Sequence, residues 1–325
     1  MNILRNNAVK LQKLMLFTIL FPICAVVFLG YIAARTQFIT PSLITAMSQF
    51  VMKISLPAFL LQALASKHLS DIWSPQYFIA YAGGSLLLYG VVFFCCRYFF
   101  KASLTESGVL AMGGSMSNTG FIGTAILTLL IGSHSAIYLS LTLIVENLLI
   151  VTLMLILAER GLQASGTAGK SILTGTLLRI LKNPVILSIM LGILCIVLDI
   201  QLPELLSSTL KMLGQTASPL ALFVIGGSLI GMNLSSLTAF SWFLTAMKVI
   251  VMPLLIFSLL SAFDVSREML FIGTLLAALP MPIAFGIFAQ HYGVQEKALP
   301  PLVLSTLMGF IVVAVILTQS GYYLS

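Results

Sequence analysis

The sequence predicts an all-α membrane protein of ten transmembrane helices, built as two inverted five-helix repeats in which helices 4 and 9 are broken and cross. Composition, the number of long apolar segments and an internal repeat predict this fold. Of the 325 residues, 59% are hydrophobic and only 8% are charged, whereas soluble domains carry about 25% charged residues. Because so few charged side chains cannot cover a water-facing surface, most of the protein surface must contact lipid.

Long apolar segments give the predicted helices. A hydrocarbon core about 30 Å thick requires about 20 apolar residues per helix, and charged or Gly/Pro-rich breaks divide the chain into ten such segments. They cover residues 14–33, 43–64, 75–99, 107–131, 136–157, 184–200, 212–231, 240–262, 269–290 and 299–319.

An internal repeat organises these helices. Adding 162 to a residue number aligns the two halves of the chain without a gap, and five helices per half make the second unit enter the membrane upside down, as in many secondary transporters. We therefore predict a first repeat at 1–158, a central polar loop at 159–183 and a second repeat at 184–325. The aligned pairs are Pro22/Pro184, Gly30/Gly192, Pro41/Pro203, Pro57/Pro219, Ser66/Ser228 and Glu106/Glu268.

The basic N-terminal tail and the first apolar segment together resemble a signal peptide. However, the repeat pairs this segment with the sixth one through Pro22/Pro184 and Gly30/Gly192. We therefore interpret the first segment as a retained transmembrane helix.

Two of the predicted helices are interrupted near their midpoints, at equivalent positions of the two halves. The fourth contains the glycine- and hydroxyl-rich stretch 113–123, and the ninth contains prolines that remove backbone donors. Broken helices at membrane depth occur where they line a cavity or are covered by protein, and their N-termini suit an anion. Helix packing and kinking alone would not require matched positions. The predicted substrate-binding residues are Ser117, Asn118, Thr119, Gly120, Pro280 and Pro282.

Two ionisable residues, Lys53 and Glu146, lie deep in predicted helices. A charge at the bilayer centre costs about 2.5 kcal/mol or more, so we expect both side chains to face the protein interior and to find partners. Both are candidates for ion coupling or charge compensation, and a purely structural role is the alternative. Lys248 lies nearer a helix end, and we expect it to snorkel to the membrane surface.

The rest of the sequence argues against several classes of protein. The net charge of +7 comes from basic residues scattered between apolar runs, which is not the block or stripe that binds nucleic acid. The four cysteines and three histidines lack metal-ligand spacing, and no catalytic motif is present. We therefore predict neither an enzyme nor a resident cofactor or metal. Lysines and arginines in the predicted loops slightly favour both termini outside the cell.

Several motifs together resemble the auxin efflux carrier family, which includes plant PIN auxin exporters and bacterial permeases assigned to malonate and related organic acids. They occur in the family's order and span nearly the whole chain. These motifs are Ser117–Gly123, Asn183-Pro184, Ser218–Phe223, Ala278–Pro280 and Phe288–Val294.

The resemblance implies a scaffold domain and a transport domain, with the substrate carboxylate beside the crossing of helices 4 and 9. The matching positions here are Asn118 and Pro280, and Lys53 matches a lysine that some members carry. We predict an inner-membrane secondary transporter that moves small organic anions by alternating access. A homodimer is left open. A cation/proton antiporter and a membrane sensor that binds without translocation are the alternatives.

Overall fold

The protein is an all-helical, multi-pass membrane protein. Its computed structural model describes residues 21–22, 25–66, 73–131, 135–164, 184–228, 230 and 237–319, and no strand occurs among them. Six helical stretches of this part are long and apolar enough to cross a membrane. They are Pro41–Gln62, Pro75–Tyr98, Leu141–Leu162, Ala239–Ala262, Arg267–His291 and Gln295–Leu317.

The helices are numbered here in chain order. The first half contains α1 (Ala25–Arg35), α2 (Pro41–Phe50), α3 (Leu56–Ala65), α4 (Pro75–Tyr98), α5 (Leu104–Ser115), α6 (Thr124–Ile131), α7 (Ser135–Ile144) and α8 (Thr152–Ala164). The second half contains α9 (Pro184–Val197), α10 (Glu204–Gln215), α11 (Ala217–Ser228), α12 (Ala239–Ala246), α13 (Met252–Ala262), α14 (Arg267–Ala278), α15 (Ile283–His291) and α16 (Gln295–Leu317). The π-helical turns are π1 (Val51–Ser55), π2 (Thr119–Gly123), π3 (Val145–Val151) and π4 (Met247–Val251).

Local sequence explains where several helices begin. Pro41 and Pro75 open α2 and α4, where the missing backbone N–H would have no helical partner. Ser103 and Glu106 form a capping box at the start of α5. Burial alone would raise the pKa of Glu106, but hydrogen bonds from Lys297 and from Ser103 outweigh burial and lower its pKa below the ordinary value.

The helices pack into two groups. The first group contains α1, α2, α3, α9, α10 and α11, and the second contains α4 to α8 together with α12 to α16. Packing between the groups is sparser, and it includes α15 against α2 and α11, and α7 against α3. Each group is therefore built as a unit with its own internal contacts.

The two interruptions lie side by side in the second group. Helix α5 ends at Ser115, and the chain is extended at Met116 before π2 begins. Helix α14 ends at Ala278, and α15 starts after Pro282. The backbone N–H of Asn118 donates to the carbonyl oxygen of Pro280 at 3.0 Å, which joins the two extended segments.

Some predicted boundaries differ from the observed ones. Helix α8 continues to Ala164, beyond the predicted end at residue 157. The prediction stopped where the apolar run ends, but the helix continues through the charged residues Glu159 and Arg160. The predicted segment 212–231 coincides with parts of two helices, α10 and α11, which are separated at Thr216. Residues 1–20 and most of the central loop, at 165–183, lie outside the described residues.

Candidate functional site

Asn118 is placed at the contact between the two interrupted helices, with its side chain at a cavity. Its backbone is fixed on both sides, because its N–H bonds to Pro280 and its carbonyl oxygen accepts the N–H groups of Ile122 and Gly123. Within the described residues, no group forms a hydrogen bond with the Asn118 amide, and the side chain lines the cavity. The amide can therefore bind a ligand without breaking an internal hydrogen bond.

The cavity has a volume of about 470 Å³ and a mainly apolar lining. Both helix groups contribute to it. Among its lining residues, the side chains of Asn118, Tyr31 and Thr306 carry polar atoms, and the other side chains are apolar. Those apolar residues are Val27, Phe28, Ile122, Leu222, Ile225, Met281, Ile283, Leu302, Val303 and Leu307. Such a lining suits the carbon skeleton of an organic molecule.

A positive charge lies beside the cavity. The Arg35 guanidinium donates to the Tyr31 hydroxyl at 2.7 Å, and it also lies 5.9 Å from the centre of the Tyr31 ring. Arg35 is exposed near the end of α1, whereas Tyr31 lines the cavity. An anion that approaches along Tyr31 would therefore pass this guanidinium.

The hydroxyls of Ser117 and Thr119 face away from the cavity. Side chains alternate in direction along an extended segment, and here the neighbours of Asn118 turn towards buried charges. Thr119 donates to the Glu146 carboxylate at 2.9 Å, and the Ser117 hydroxyl accepts a bond from Lys248 at 2.9 Å. Neither hydroxyl is among the lining of this cavity, and their assignment to substrate binding stays a prediction.

The other predicted site residues form the surroundings of the crossing. Gly120 faces α3, where an added Cβ would lie 3.1 Å from the Phe59 ring. Pro280 accepts the bond from Asn118, and Pro282 caps α15, whose first residue, Ile283, lines the cavity. Of the six predicted substrate-binding residues, the cavity lining includes Asn118 alone.

A buried polar cluster around Glu146 bonds to Ser117 and Thr119, the two neighbours of Asn118. The carboxylate accepts hydrogen bonds from the Ser117 backbone N–H at 3.0 Å and from Thr119. Lys248 donates to Ser117 and to the carbonyl oxygen of Ala277 at 2.6 Å. Glu146 and Lys248 are both fully buried, and they lie close enough for their charges to interact.

The structure confirms the buried position of Glu146 but corrects the expectations for both lysines. Lys248 does not snorkel: it lies in π4, and its side chain is fully buried in the protein interior. Lys53 was expected to face the interior with a partner, but its side chain is exposed. It lies within electrostatic reach of His291 at the end of α15.

Sequence reasoning missed three residues of this region: Tyr31, Arg35 and Lys248. The four-residue spacing of Tyr31 and Arg35 at a helix end could have indicated a pair on one helix face. No comparable signal in the sequence indicated that Lys248 would be buried. Among the described residues, no group of three or more His, Cys, Asp or Glu side chains could hold a metal ion.

A helical membrane bundle with two interrupted helices beside a cavity is typical of membrane transporters. The fold and the site therefore indicate a protein of this class. The chain belongs to the membrane transport protein family, whose model matches residues 15–318. This is the auxin efflux carrier family that the motifs resemble. The resemblance seen in the sequence is therefore confirmed.

Two of the relatives compared carry transporter names. The chain is 24% identical to a proposed malonate transporter of Rhizobium meliloti (strain 1021), over 89% of this chain and 91% of the relative. It is also 24% identical to the uncharacterized transporter YfdV of Escherichia coli (strain K12), over 91% and 94%. A lysosomal cholesterol signaling protein of Mus musculus is 25% identical over 74% of this chain and 29% of its own length. The family and these names indicate a transporter rather than an enzyme.

Proposed function

We propose that the protein is a secondary transporter of small organic anions, with carboxylates as its substrate class. The observation that carries this proposal is the Asn118 amide, which has no hydrogen-bond partner among the described residues and lies at a mainly apolar cavity. A carboxylate needs hydrogen-bond donors, and its carbon skeleton needs apolar surface. The cavity supplies both, and the malonate assignment of one relative is in keeping with this class.

The anion would be held from two sides. The Asn118 amide would donate to a carboxylate oxygen, and the N-terminal end of α15, which begins at Ile283, carries a partial positive charge. Arg35 would attract the anion towards the cavity without contacting it in the bound position. Lys53 would add positive charge on the exposed surface.

Alternating access would come from movement of one helix group against the other. In this proposal the repeats span 1–158 and 184–325, joined by the loop at 159–183, and together they supply ten helices. Two glycine contacts support the repeat. Gly30 of α1 packs on Phe223 of α11, and its aligned partner Gly192 of α9 packs on Leu64 of α3. The two contacts join equivalent helices of the two halves.

Glu146 would supply charge compensation or coupling in this transporter. Its carboxylate accepts hydrogen bonds from the Ser117 backbone N–H and the Thr119 hydroxyl, which flank the cavity-lining residue Asn118. A change in its protonation would therefore alter the hydrogen bonds that hold the residues on either side of Asn118.

The substrate site can be tested with purified protein in proteoliposomes and a panel of mono- and dicarboxylates. Asn118→Ala should raise KM for the transported acid about ten- to a hundredfold, because a hydrogen bond to a charged group contributes about 1.5–3 kcal/mol. Asn147→Ala is the matched control, since the Asn147 amide bonds to the Leu143 carbonyl oxygen within its own helix. Equal KM values in the wild type and Asn118→Ala would contradict the proposed site.

Coupling through Glu146 makes a separate prediction. If this carboxylate exchanges the coupling proton, Glu146→Gln should transport at a rate that no longer depends on pH, while the wild-type rate does. Uptake of labelled acid is measured over a pH series without a membrane potential. A variant with the pH profile of the wild type would exclude Glu146 from coupling and leave it a structural role.

A further inference from the structure

The carbonyl end of α14 lies inside the protein and is occupied by an ammonium group. Lys248 Nζ is 2.6 Å from the Ala277 carbonyl oxygen and 2.9 Å from the Ser117 hydroxyl. The carbonyl end of a helix carries a partial negative charge, so this position favours a cation. Because Lys248 is fully buried, these oxygens take the place of the water that a free ammonium would bind.

Further oxygen atoms lie near this ammonium, within range of its charge but not bonded to it. One oxygen of the Glu146 carboxylate, Oε1, accepts two hydrogen bonds, whereas Oε2 is buried without a hydrogen-bond partner among the described residues. The buried Tyr81 hydroxyl also lacks a hydrogen-bond partner there, and it lies close enough to Glu146 for electrostatic interaction. Unsatisfied buried oxygens are costly, and they point to a site built for a charged ligand.

The chemistry of these oxygens matches a monovalent cation. A main-chain carbonyl, hydroxyls and a carboxylate are hard ligands of the kind that bind alkali ions in place of water. The ends of half-helices bind such ions in many transporters. Both charged residues also lie in π-helical turns, π3 and π4, and π turns inside helices occur frequently at functional sites.

We propose that the Ala277 carbonyl and the Ser117 hydroxyl, together with the nearby charge of the Glu146 carboxylate, form a monovalent-cation site that the chain fills with the Lys248 ammonium. The protein therefore needs no alkali ion at the helix crossing. This inference goes beyond the proposed function, because it concerns a cation and holds whether or not an organic anion is transported.

The test removes the ammonium and supplies a free cation instead. Lys248→Ser opens the site, whereas Lys248→Met fills the same space without a charge. Thermal unfolding of the full-length protein in detergent is compared in sodium, potassium and choline chloride at equal ionic strength. The Ser variant should gain a few degrees in melting temperature in sodium or potassium, saturably, because a bound ion stabilises the folded state by mass action. The Met variant should melt at one temperature in all three salts.

Two further variants make the result specific. Lys211→Ser removes an exposed lysine of α10 and should show no response to the choice of cation. Adding Glu146→Gln to Lys248→Ser should weaken the apparent cation affinity at least tenfold, since it removes the carboxylate charge from the site.

Several outcomes would overturn the proposal. One is a Ser variant without a sodium or potassium response, and another is a Ser variant that is never recovered folded while the Met variant is. If neither variant folds, the wild type decides: equal melting temperatures in the three salts support an internal ammonium. Saturable stabilisation of the wild type by sodium or potassium would refute it, because the site would then bind an ion beside Lys248.

Discussion

Arg35 is the residue whose charge should most directly affect anion capture. Its guanidinium bonds to Tyr31, which lines the cavity. Arg35→Gln removes one positive charge near the cavity, worth about 1 kcal/mol for a charge pair in a partly aqueous setting. We expect KM for the organic anion to rise about fivefold at low ionic strength and kcat to change little. Initial uptake rates in proteoliposomes at two salt concentrations measure this effect.

Arg160→Gln provides the control for Arg35, because it removes the same charge from an exposed position of α8. Its KM should equal that of the wild type. High salt should reduce the difference between Arg35→Gln and the wild type, since screening weakens interactions between exposed charges. An unchanged KM in Arg35→Gln at low salt would show that this guanidinium does not attract the substrate.

At this scale the sequence predicted part of the site. Asn118 could be predicted because it lies among glycines and hydroxyl-bearing residues at membrane depth, where a polar side chain is costly unless it has a hydrogen-bond partner or a ligand. Its neighbours Ser117 and Thr119 were predicted to bind the same substrate, and in the structure their hydroxyls bond to Lys248 and Glu146. Lys248 was misplaced because hydropathy along the chain carries no information about which way a π turn rotates a side chain.

At the scale of helices, glycines set how closely two elements approach. Gly30 of α1 contacts the backbone of Phe223, whereas nothing lies within 4 Å of a Cβ added to Gly83 of α4. Gly30→Ala should therefore force the helices apart and destabilise the protein by about 2 kcal/mol. Gly83→Ala should be neutral or slightly stabilising, because alanine favours helix without a clash. Thermal unfolding in detergent compares the two variants.

The two substitutions add the same methyl group to a helix interior, so the difference between their melting temperatures isolates the packing contact. A melting temperature for Gly30→Ala equal to that of Gly83→Ala would mean that α1 and α11 separate at no cost. The predicted repeat pairs Gly30 with Gly192, and it rests on positions where close helix contact or a helix start demands a particular residue type. Pro41 and Pro184 open helices α2 and α9 for the same reason.

The boundaries between consecutive helices within an apolar segment were predicted less well. The split between α10 and α11 at Thr216 and the π turns leave the apolar pattern uninterrupted. Hydropathy reports which residues avoid water, and a residue in a π turn avoids water as much as one in an α-helix. The hydropathy of a single segment does not report its contacts with other helices, so it could not predict these local irregularities.

For the whole molecule, the proposed transport cycle requires the two helix groups to move against each other. A disulfide between the groups should therefore stop uptake, whereas one inside a group should not. A Cβ on Gly286 of α15 lies 3.3 Å from Ile225 Cγ1 of α11, across the groups. A Cβ on Gly108 of α5 lies 3.1 Å from Leu157 Cβ of α8, inside one group. In the second pair the two Cβ atoms are in direct contact, and in the first the Ile225 Cβ is one bond beyond the contacting Cγ1, so a small backbone adjustment would allow a disulfide in each pair.

The two cysteine pairs, I225C with G286C and G108C with L157C, are introduced into a chain without Cys24, Cys95, Cys96 and Cys195. Oxidation of the first pair should lower anion uptake at least tenfold, and reduction should restore it. Oxidation of the second pair should leave uptake within twofold, because its helices move together. If the oxidised first pair transports as fast as its reduced form, the groups do not slide at α11 and α15. Access to Asn118 would then have to change through motion inside the second group, with α14 and α15 moving relative to α5.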